Sequence, residues 1–266
     1  MFFTRLISGI VLLALLIAVI VTGGNVLLIF TAVISMIGLF ELYRAVKMEK
    51  TIPAVLGYLA GITFEIFLFL NYGQHMMTLF LVFFLLLMVS YVLLYPKYVF
   101  DQITNVFLGF FYVVVMLSYI YQVRMAEEGQ YLVWLIIISA WGSDTFAYCA
   151  GRLFGKHKLP SPLSPKKTIE GCVGGVIGAG LLGLVYAVVF KEQITADSNV
   201  QIVFPIACAV GSVIAQIGDL CASAVKRNHE IKDYGKLIPG HGGIMDRFDS
   251  VIFTAPVVYL LLTYLG

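Results

Sequence analysis

The feature that most constrains this chain is a series of nine apolar segments, each near the length that crosses a lipid bilayer. About 20 apolar residues are needed to span a hydrocarbon core about 30 Å thick. The segments lie approximately at 6–22, 26–42, 54–71, 76–95, 104–121, 132–150, 172–190, 202–222 and 250–266. This pattern predicts an all-α, polytopic integral membrane protein with about nine transmembrane helices in a single membrane domain.

Composition agrees with this prediction and excludes other classes of protein. Of the 266 residues, 61% are hydrophobic and only 12% are charged, whereas soluble domains carry about 25% charged residues. Too little polar surface remains to cover a water-facing globule, so a soluble enzyme, a disordered chain and a nucleic-acid-binding domain are excluded. The apolar N-terminal stretch is interpreted as a retained first helix, because it is long and eight further segments follow it.

The distribution of positive charge predicts the orientation. Fifteen of the 17 Lys and Arg residues precede spans 1, 3, 5, 7 and 9, and only Arg124 and Lys191 fall on the opposite side. Because Lys and Arg favour cytoplasmic loops, we expect a cytoplasmic N-terminus and an outer C-terminus in the cell's cytoplasmic membrane. The long polar connections 151–171 and 223–249 then face the cytoplasm. We expect residues 1–131 to be mainly scaffold and residues 132–266 to carry a cytoplasm-facing active site.

Polar side chains recur at helical spacing on two of the spans. On the eighth span they are Ser212, Gln216, Asp219, Ser223 and Lys226, and on the sixth they are Asp144, Tyr148 and Arg152. A water-filled funnel entering from the cytoplasm explains both stripes, and a hydrogen-bond network between helices is the alternative. Glu41 and Glu65 are interpreted as structural: Glu41 can snorkel from a helix end, and Glu65 can be paired or protonated.

Two carboxylates at the start of the ninth span predict a metal site. Asp246 and Asp249 are three residues apart in GGIMDRFDS, where the helix dipole stabilises anions. With Asp219 and Asp144 they supply hard oxygen ligands of the kind Mg²⁺ prefers, in sites that usually combine one or two carboxylates with substrate phosphates. Ordinary capping of the helix start is the alternative for the Asp pair. The number of cations, one or two, is left open.

Basic residues crowd around these carboxylates. In the second long connection they are Lys226, Arg227, Lys232, Lys236, His241 and Arg247, and in the first they are Arg152, Lys156, Lys158, Lys166 and Lys167. Cations for phosphate oxygens, mixed with carboxylates for a metal, are typical of a nucleotide or polyphosphate site. A polybasic surface for anionic lipid headgroups is the alternative, although it does not explain the interleaved Asp, Gly and His.

One segment of the chain resembles a known signature. Residues 223–249 read SAVKRNHEIKDYGKLIPGHGGIMDRFD, and this is similar to the signature of the phosphatidate cytidylyltransferases, also called CDP-diacylglycerol synthases. The matching positions are Ser223, Lys226, Arg227, Lys232, Asp233, Pro239, His241, Gly242, Gly243, Asp246, Arg247 and Asp249. The GDL at 218–220 and the stretch 143–171 resemble the same family. The first half of the chain matches only as hydrophobic spans.

The resemblance implies that CTP and phosphatidic acid react to give CDP-diacylglycerol and pyrophosphate, with magnesium as cofactor. It implies a catalytic set of Asp144, Lys167, Asp219, Lys226, Arg227, His241, Asp246, Arg247 and Asp249. Asp219 and Asp246 would bind the metal, with Asp144 and Asp249 as further ligands or their partners. The implied substrate-binding set is Arg152, Ser164, Lys166, Thr168, Ser223, Lys232, Asp233, Gly242 and Gly243.

Two other functions compete with this hypothesis. A CTP-dependent transferase could act on another lipid acceptor, such as an ether-lipid phosphate or a polyprenol, because the headgroup motif would look alike. A transporter would also carry intramembrane carboxylates, but the charges here cluster on one side and no inverted repeat is visible. The expected partners are CTP, phosphatidic acid and membrane lipid, and no nucleic acid. A homodimer is compatible with the odd number of spans and the glycine-lined faces.

Overall fold

A computed structural model describes residues 2–161, 163–194 and 199–265, with the side chains described from Ile7 onward. These residues form nine long helices and no named strand. The helices are α1 (Phe2–Thr22), α2 (Gly24–Ala45), α3 (Ile52–Phe69), α4 (Met76–Leu93), α5 (Phe100–Met125), α6 (Gly129–Phe154), α7 (Ile169–Phe190), α8 (Val200–Asn228) and α9 (Met245–Leu265). The prediction of an all-α, polytopic membrane protein is confirmed.

Eight of these helices, α2 to α9, are long and apolar enough to cross a membrane. The remaining helix, α1, has 21 residues, of which the stretch Ile7–Thr22 is apolar. Gly23, with a φ of 64°, separates α1 from α2. A left-handed backbone of this kind favours glycine, and it allows the connection between the two helices to be tight.

The chain divides into two compact units. The first unit contains the residues up to Tyr121 together with His229–Arg247, and the second contains Gln122–Asn228 and the chain from Phe248. Much of the signature segment therefore groups with the first 121 residues. The expectation that residues 1–131 serve mainly as scaffold stays a prediction.

The first unit is held together by aromatic packing and one buried tyrosine. Six phenylalanines from three helices lie with ring centroids 4.9 to 6.2 Å apart; they are Phe64, Phe80, Phe83, Phe107, Phe110 and Phe111. The Tyr43 hydroxyl donates a 2.7 Å hydrogen bond to the carbonyl of Val106. A Cβ at Gly57 or Gly109 would collide with the Tyr43 ring or hydroxyl, so these glycines let α3 and α5 close around it.

The second unit depends on small residues along α7. A Cβ at Gly175 would lie 3.0 Å from the Ser143 carbonyl oxygen, and one at Gly183 would lie 2.9 Å from Cys208 Sγ. Close helix packing through small residues is typical of membrane proteins, and these glycines provide it here. A π-helical stretch, Ile138–Gly142, interrupts α6 immediately before Ser143 and Asp144. Such bulges change the register of the following turns.

Candidate active site

The second unit contains a cavity with charged lining residues, between the loop that precedes α7 and the helices α6, α7 and α8. Its volume is about 430 Å³, and five predicted site residues line it: Asp144, Arg152, Lys166, Lys167 and Thr168. Arg152 donates a 3.1 Å hydrogen bond to the Tyr148 hydroxyl, one helical turn away. The structure therefore brings the stripe of α6 and the Lys-Lys-Thr sequence together, as the resemblance implies.

The polar side chains on α8 make different contacts along the helix. Ser212 is buried and donates a 2.6 Å hydrogen bond to the Ser143 hydroxyl. This bond links α8 to α6, as the hydrogen-bond alternative expects. Gln216 donates to the Cys172 carbonyl at 3.1 Å and also lines the cavity. Asp219, one turn further, is part-exposed and forms an ion pair with Lys167 instead. The stripe changes from helix packing to a water-accessible site along one helix face.

The Lys167–Asp219 ion pair is the central contact of this unit. The Lys167 ammonium lies 2.5 Å from Asp219 Oδ2, and the two side chains are 27% and 30% exposed. The backbone of Lys167 is fixed from both sides: its N–H donates to the Ser164 carbonyl at 3.2 Å, and its carbonyl accepts from Leu159 at 2.9 Å. Thr168 then caps α7 by accepting the Gly171 N–H at 3.1 Å. The loop therefore presents a cation from a rigid backbone.

Helix α9 contributes Asp249 to this group of charges. Asp219, Lys226 and Asp144 all lie within electrostatic reach of its carboxylate. Gly218 permits the approach, because a Cβ there would lie 2.8 Å from the Asp249 carbonyl oxygen. Ser223 and Lys226 are half-buried and Arg227 is exposed in the last turns of α8. Three carboxylates and two lysines thus share one region of the second unit.

The signature segment of the first unit folds around the Asp246 side chain. Asp246 is only 8% exposed, and its Oδ2 accepts the N–H groups of Tyr234 at 2.8 Å and Gly243 at 3.0 Å. Gly242 adopts a φ of 86°, a conformation that favours glycine. Asp246 therefore accepts backbone hydrogen bonds that hold the segment together. The resemblance also implies a metal role for it.

A second polar cleft lies on this folded segment. Its volume is about 290 Å³, and its charged or polar lining residues are Lys232, Asp233, Lys236, His241 and Arg247. His241 is half-buried, and its Nδ1 lies 2.9 Å from the Ser8 hydroxyl, which also donates to the Pro239 carbonyl at 3.1 Å. With Nδ1 engaged in this way, Nε2 is the ring nitrogen left for a ligand contact.

Glu41 is structural, as the sequence interpretation has it, but the expectation that it snorkels from a helix end is wrong. Its side chain is 3% exposed, and Oε2 accepts the Met245 N–H at 3.0 Å at the start of α9. A Cβ at Gly235 or Gly243 would collide with its carboxylate. One turn on, Arg44 donates a 2.5 Å hydrogen bond to the Tyr234 carbonyl. The sequence places an acidic residue near a helix end but does not indicate whether it faces inward.

The carboxylates of the second unit fit a magnesium ion by their chemistry. In the part of the chain that the structure describes, no three His, Cys, Asp or Glu side chains converge tightly enough to form a complete metal cage. Magnesium does not need such a cage, because it usually takes one or two carboxylates and completes its shell with waters and substrate phosphates. Asp249 supplies such a hard oxygen donor, and Asp144 and Asp219 both lie within electrostatic reach of it.

Together these features define a class: a polytopic membrane protein with clefts in which carboxylates and cations are interleaved, as phosphate-transfer sites require. A family model described as "Cytidylyltransferase family" matches residues 3–265. The chain belongs to the cytidylyltransferase family.

Curated relatives match over nearly the whole chain. A phosphatidate cytidylyltransferase of Bacillus subtilis (strain 168) is 31% identical over 265 residues, covering 97% of this chain and 96% of the relative. A protein of the same name from Staphylococcus saprophyticus is 34% identical over 267 residues, covering 97% and 98%. One from Rickettsia conorii is 37% identical over 168 residues, covering 62% of this chain and 73% of the relative.

Proposed function

We propose that this chain transfers the cytidylyl group of CTP to phosphatidic acid, giving CDP-diacylglycerol and pyrophosphate. The observation that carries the proposal is the full-length similarity to relatives that bear the name phosphatidate cytidylyltransferase. The charged clefts of the two units supply groups that suit two phosphate-bearing substrates, one entering from water and one held at the membrane surface.

The reaction is an in-line displacement at phosphorus. An oxygen of the phosphatidic acid phosphate attacks the α-phosphorus of CTP, the new P–O bond forms, and the bond to the β-phosphate oxygen breaks to release pyrophosphate. A phosphomonoester has a second pKa of about 6, so the attacking oxygen is already largely ionised near neutrality. A strong general base is unnecessary, and the chain's work is positioning and charge neutralisation.

Lys167 is the cation best placed for this work in the second unit. Its backbone is fixed by hydrogen bonds, while its side chain is part-exposed and ion-paired to Asp219. An exposed ion pair is worth little energetically, so the ammonium can exchange Asp219 for a phosphate oxygen at small cost. Lys166 and Arg152 line the same cavity and would bind further phosphate oxygens.

Magnesium, when bound, would neutralise the triphosphate charge, with Asp144, Asp219 and Asp249 as its ligands in the second unit. Asp246 belongs to the first unit, and its metal role stays a prediction of the resemblance, as does the possibility of a second cation. In the first unit, Lys232 and Arg247 would contact phosphate oxygens, and His241 would contact the substrate through Nε2. Ser164, Thr168 and Ser223 remain predicted substrate contacts.

The decisive experiment uses purified full-length protein in detergent with CTP, phosphatidic acid and magnesium, and measures both products. Equimolar CDP-diacylglycerol and pyrophosphate are expected. An ether-lipid phosphate and a polyprenol phosphate offered as acceptors separate this function from its nearest alternative. If no acceptor supports pyrophosphate release, the proposal is contradicted. Substrate transport without pyrophosphate release would favour the transporter.

We also propose that both clefts face the cytoplasm, with the N-terminus inside and the C-terminus outside. The support is the one-sided distribution of Lys and Arg under the positive-inside tendency. Single cysteines introduced at Lys158 and Lys236 should react with a membrane-impermeant maleimide only after the cell is opened. Labelling of either in intact cells would contradict the orientation. The homodimer stays a prediction, which chemical cross-linking in membranes would test.

A further inference from the structure

A groove on the outer surface of the first unit is unrelated to the charged clefts. It lies between α2 and α3 and has a volume of about 440 Å³. Its walls include Leu28, Ala32 and Met36 from α2 and Ile62, Ile66 and Phe69 from α3. Residues 62, 66 and 69 recur at helical spacing and so share one face of α3. Both helices are candidate membrane spans, so the groove faces hydrocarbon.

One ionisable side chain interrupts this apolar lining. Glu65 is 7% exposed, lines the groove, and neither of its carboxyl oxygens has a hydrogen-bond partner. The ion pairs found in the described part of the chain do not include it. An unsatisfied polar group in an apolar environment is costly, so a lone carboxyl among apolar side chains calls for a hydrogen-bonding partner.

The opposite face of α3 explains why Glu65 turns into the groove. Phe64 packs against Phe80 and Phe110 at centroid distances of 6.2 and 6.0 Å, so that face of the helix is closed by the aromatic cluster. The groove face is open, since Ile62, Ile66 and Phe69 are 46%, 48% and 54% exposed. A partner for Glu65 can therefore reach it only from the membrane.

We propose that the groove binds an acyl chain of a membrane glycerophospholipid, whose ester carbonyl accepts a hydrogen bond from Glu65. An isolated carboxylate is excluded from hydrocarbon, so the group acts there as a carboxylic acid, which can donate. Glu65 lies four residues before the end of α3, about 6 Å along the axis. That depth places the carboxyl near the membrane interface, where the ester groups of lipids lie.

The groove is apolar apart from Glu65 and has a volume of about 440 Å³, which suits a chain of methylene groups. Its α2 wall runs from Leu28 to Ile37, a rise of about 14 Å, which suits an extended acyl chain.

The test measures lipid retention by native mass spectrometry of the full-length protein in detergent. The probe is dioleoyl phosphatidylethanolamine, whose zwitterionic headgroup has no net charge to attract the basic clefts. The wild-type chain should retain one more lipid than Glu65→Leu, and the lipid concentration for half occupancy should rise about tenfold in that variant. Glu65→Gln, which can still donate to a carbonyl, should stay within about threefold of wild type.

A second variant keeps the test independent of the stability of Glu65→Leu. Ala32→Phe fills the groove from its α2 wall, keeps Glu65 in the sequence, and should also lose the extra lipid. Val82→Phe on α4, at a position 47% exposed and outside the groove, is the matched control and should retain it. Lipid retention unchanged in Ala32→Phe would overturn the proposal. A protein dimer that Glu65→Gln preserves and Ala32→Phe abolishes, with no change in bound lipid, would assign the groove to a second copy and also overturn it.

Discussion

The two units hold their charged groups in different ways. In the second unit, Lys167 and Asp219 are paired side chain to side chain and are both part-exposed. In the first unit, the buried carboxylates of Asp246 and Glu41 accept backbone N–H groups. Side-chain ion pairs near water can exchange partners at little cost, whereas a backbone N–H left unsatisfied costs about 1–3 kcal/mol. The Lys167–Asp219 pair is therefore suited to exchange ligands, whereas Asp246 and Glu41 hold a backbone shape.

The largest expected effect tests whether the Asp246 charge is needed as well as its shape. Asp246→Asn keeps an oxygen that can accept an N–H but removes the charge, and hydrogen bonds to charged acceptors are about twice as strong. We expect product formation to fall about a thousandfold, while the chain stays folded. The measurement is CDP-diacylglycerol formation together with thermal unfolding in detergent.

The control for this substitution is Asp101→Asn, at an exposed position in the first turn of α5. It should leave both activity and unfolding temperature unchanged. Appreciable turnover by a folded Asp246→Asn protein would remove this carboxylate from the metal-binding set and leave it only its contacts to Tyr234 and Gly243.

The next effect concerns the exchangeable pair of the second unit. Lys167→Met should lower kcat/KM for CTP about a hundredfold, because a phosphate ligand is lost. Its free energy of unfolding should change by less than about 1 kcal/mol, because the ion pair is part-exposed. Lys191→Met, which removes an exposed cation at the end of α7, is the control. A large loss of stability in Lys167→Met with an unchanged KM would mean that the Lys167–Asp219 pair is structural. The contrast with the buried carboxylates of the first unit would then fail.

A smaller effect on activity, with a larger one on stability, is expected at Glu41. Glu41→Ala leaves the Met245 N–H without its acceptor, which should lower the free energy of unfolding by about 1–3 kcal/mol. We expect activity to fall about tenfold as the start of α9 shifts. Glu41→Gln keeps an acceptor oxygen and should restore most of the stability. Denaturant unfolding and initial rates are the two measurements.

Glycine substitutions test the contribution of Glu41 to stability without removing its carboxylate. Gly243→Ala introduces a methyl group that would collide with Glu41, whereas a Cβ at Gly73 meets nothing within 4 Å. Gly243→Ala should therefore reproduce the loss seen in Glu41→Ala, and Gly73→Ala should not. Equal stability of the two alanine variants would mean that the packing of Glu41 on the segment is loose.

These contrasts also define what the sequence can predict. Helix number and the interleaving of charges follow from local composition, so the spans and the Arg152–Tyr148 spacing could be predicted. The direction of Glu41 could not, because α2 is apolar on most of its surface and burial depends on a segment some 200 residues away. The grouping of residues 229–247 with the first 121 residues is likewise a long-range property. Local patterns carry no information about which distant backbone a carboxylate will meet.

The smallest expected effect concerns His241 and separates positioning from proton transfer. Its Nδ1 is engaged by Ser8, and the attacking phosphate oxygen is already ionised above its second pKa of about 6. His241→Ala should therefore lower the rate about tenfold by losing one substrate contact, and should leave the acidic limb of the pH–rate profile where it is. The measurement is kcat/KM for phosphatidic acid between pH 5 and pH 8 in both proteins. If the acidic limb disappears in the variant, the limb belongs to the imidazole, and His241 is a general base that the mechanism must then include.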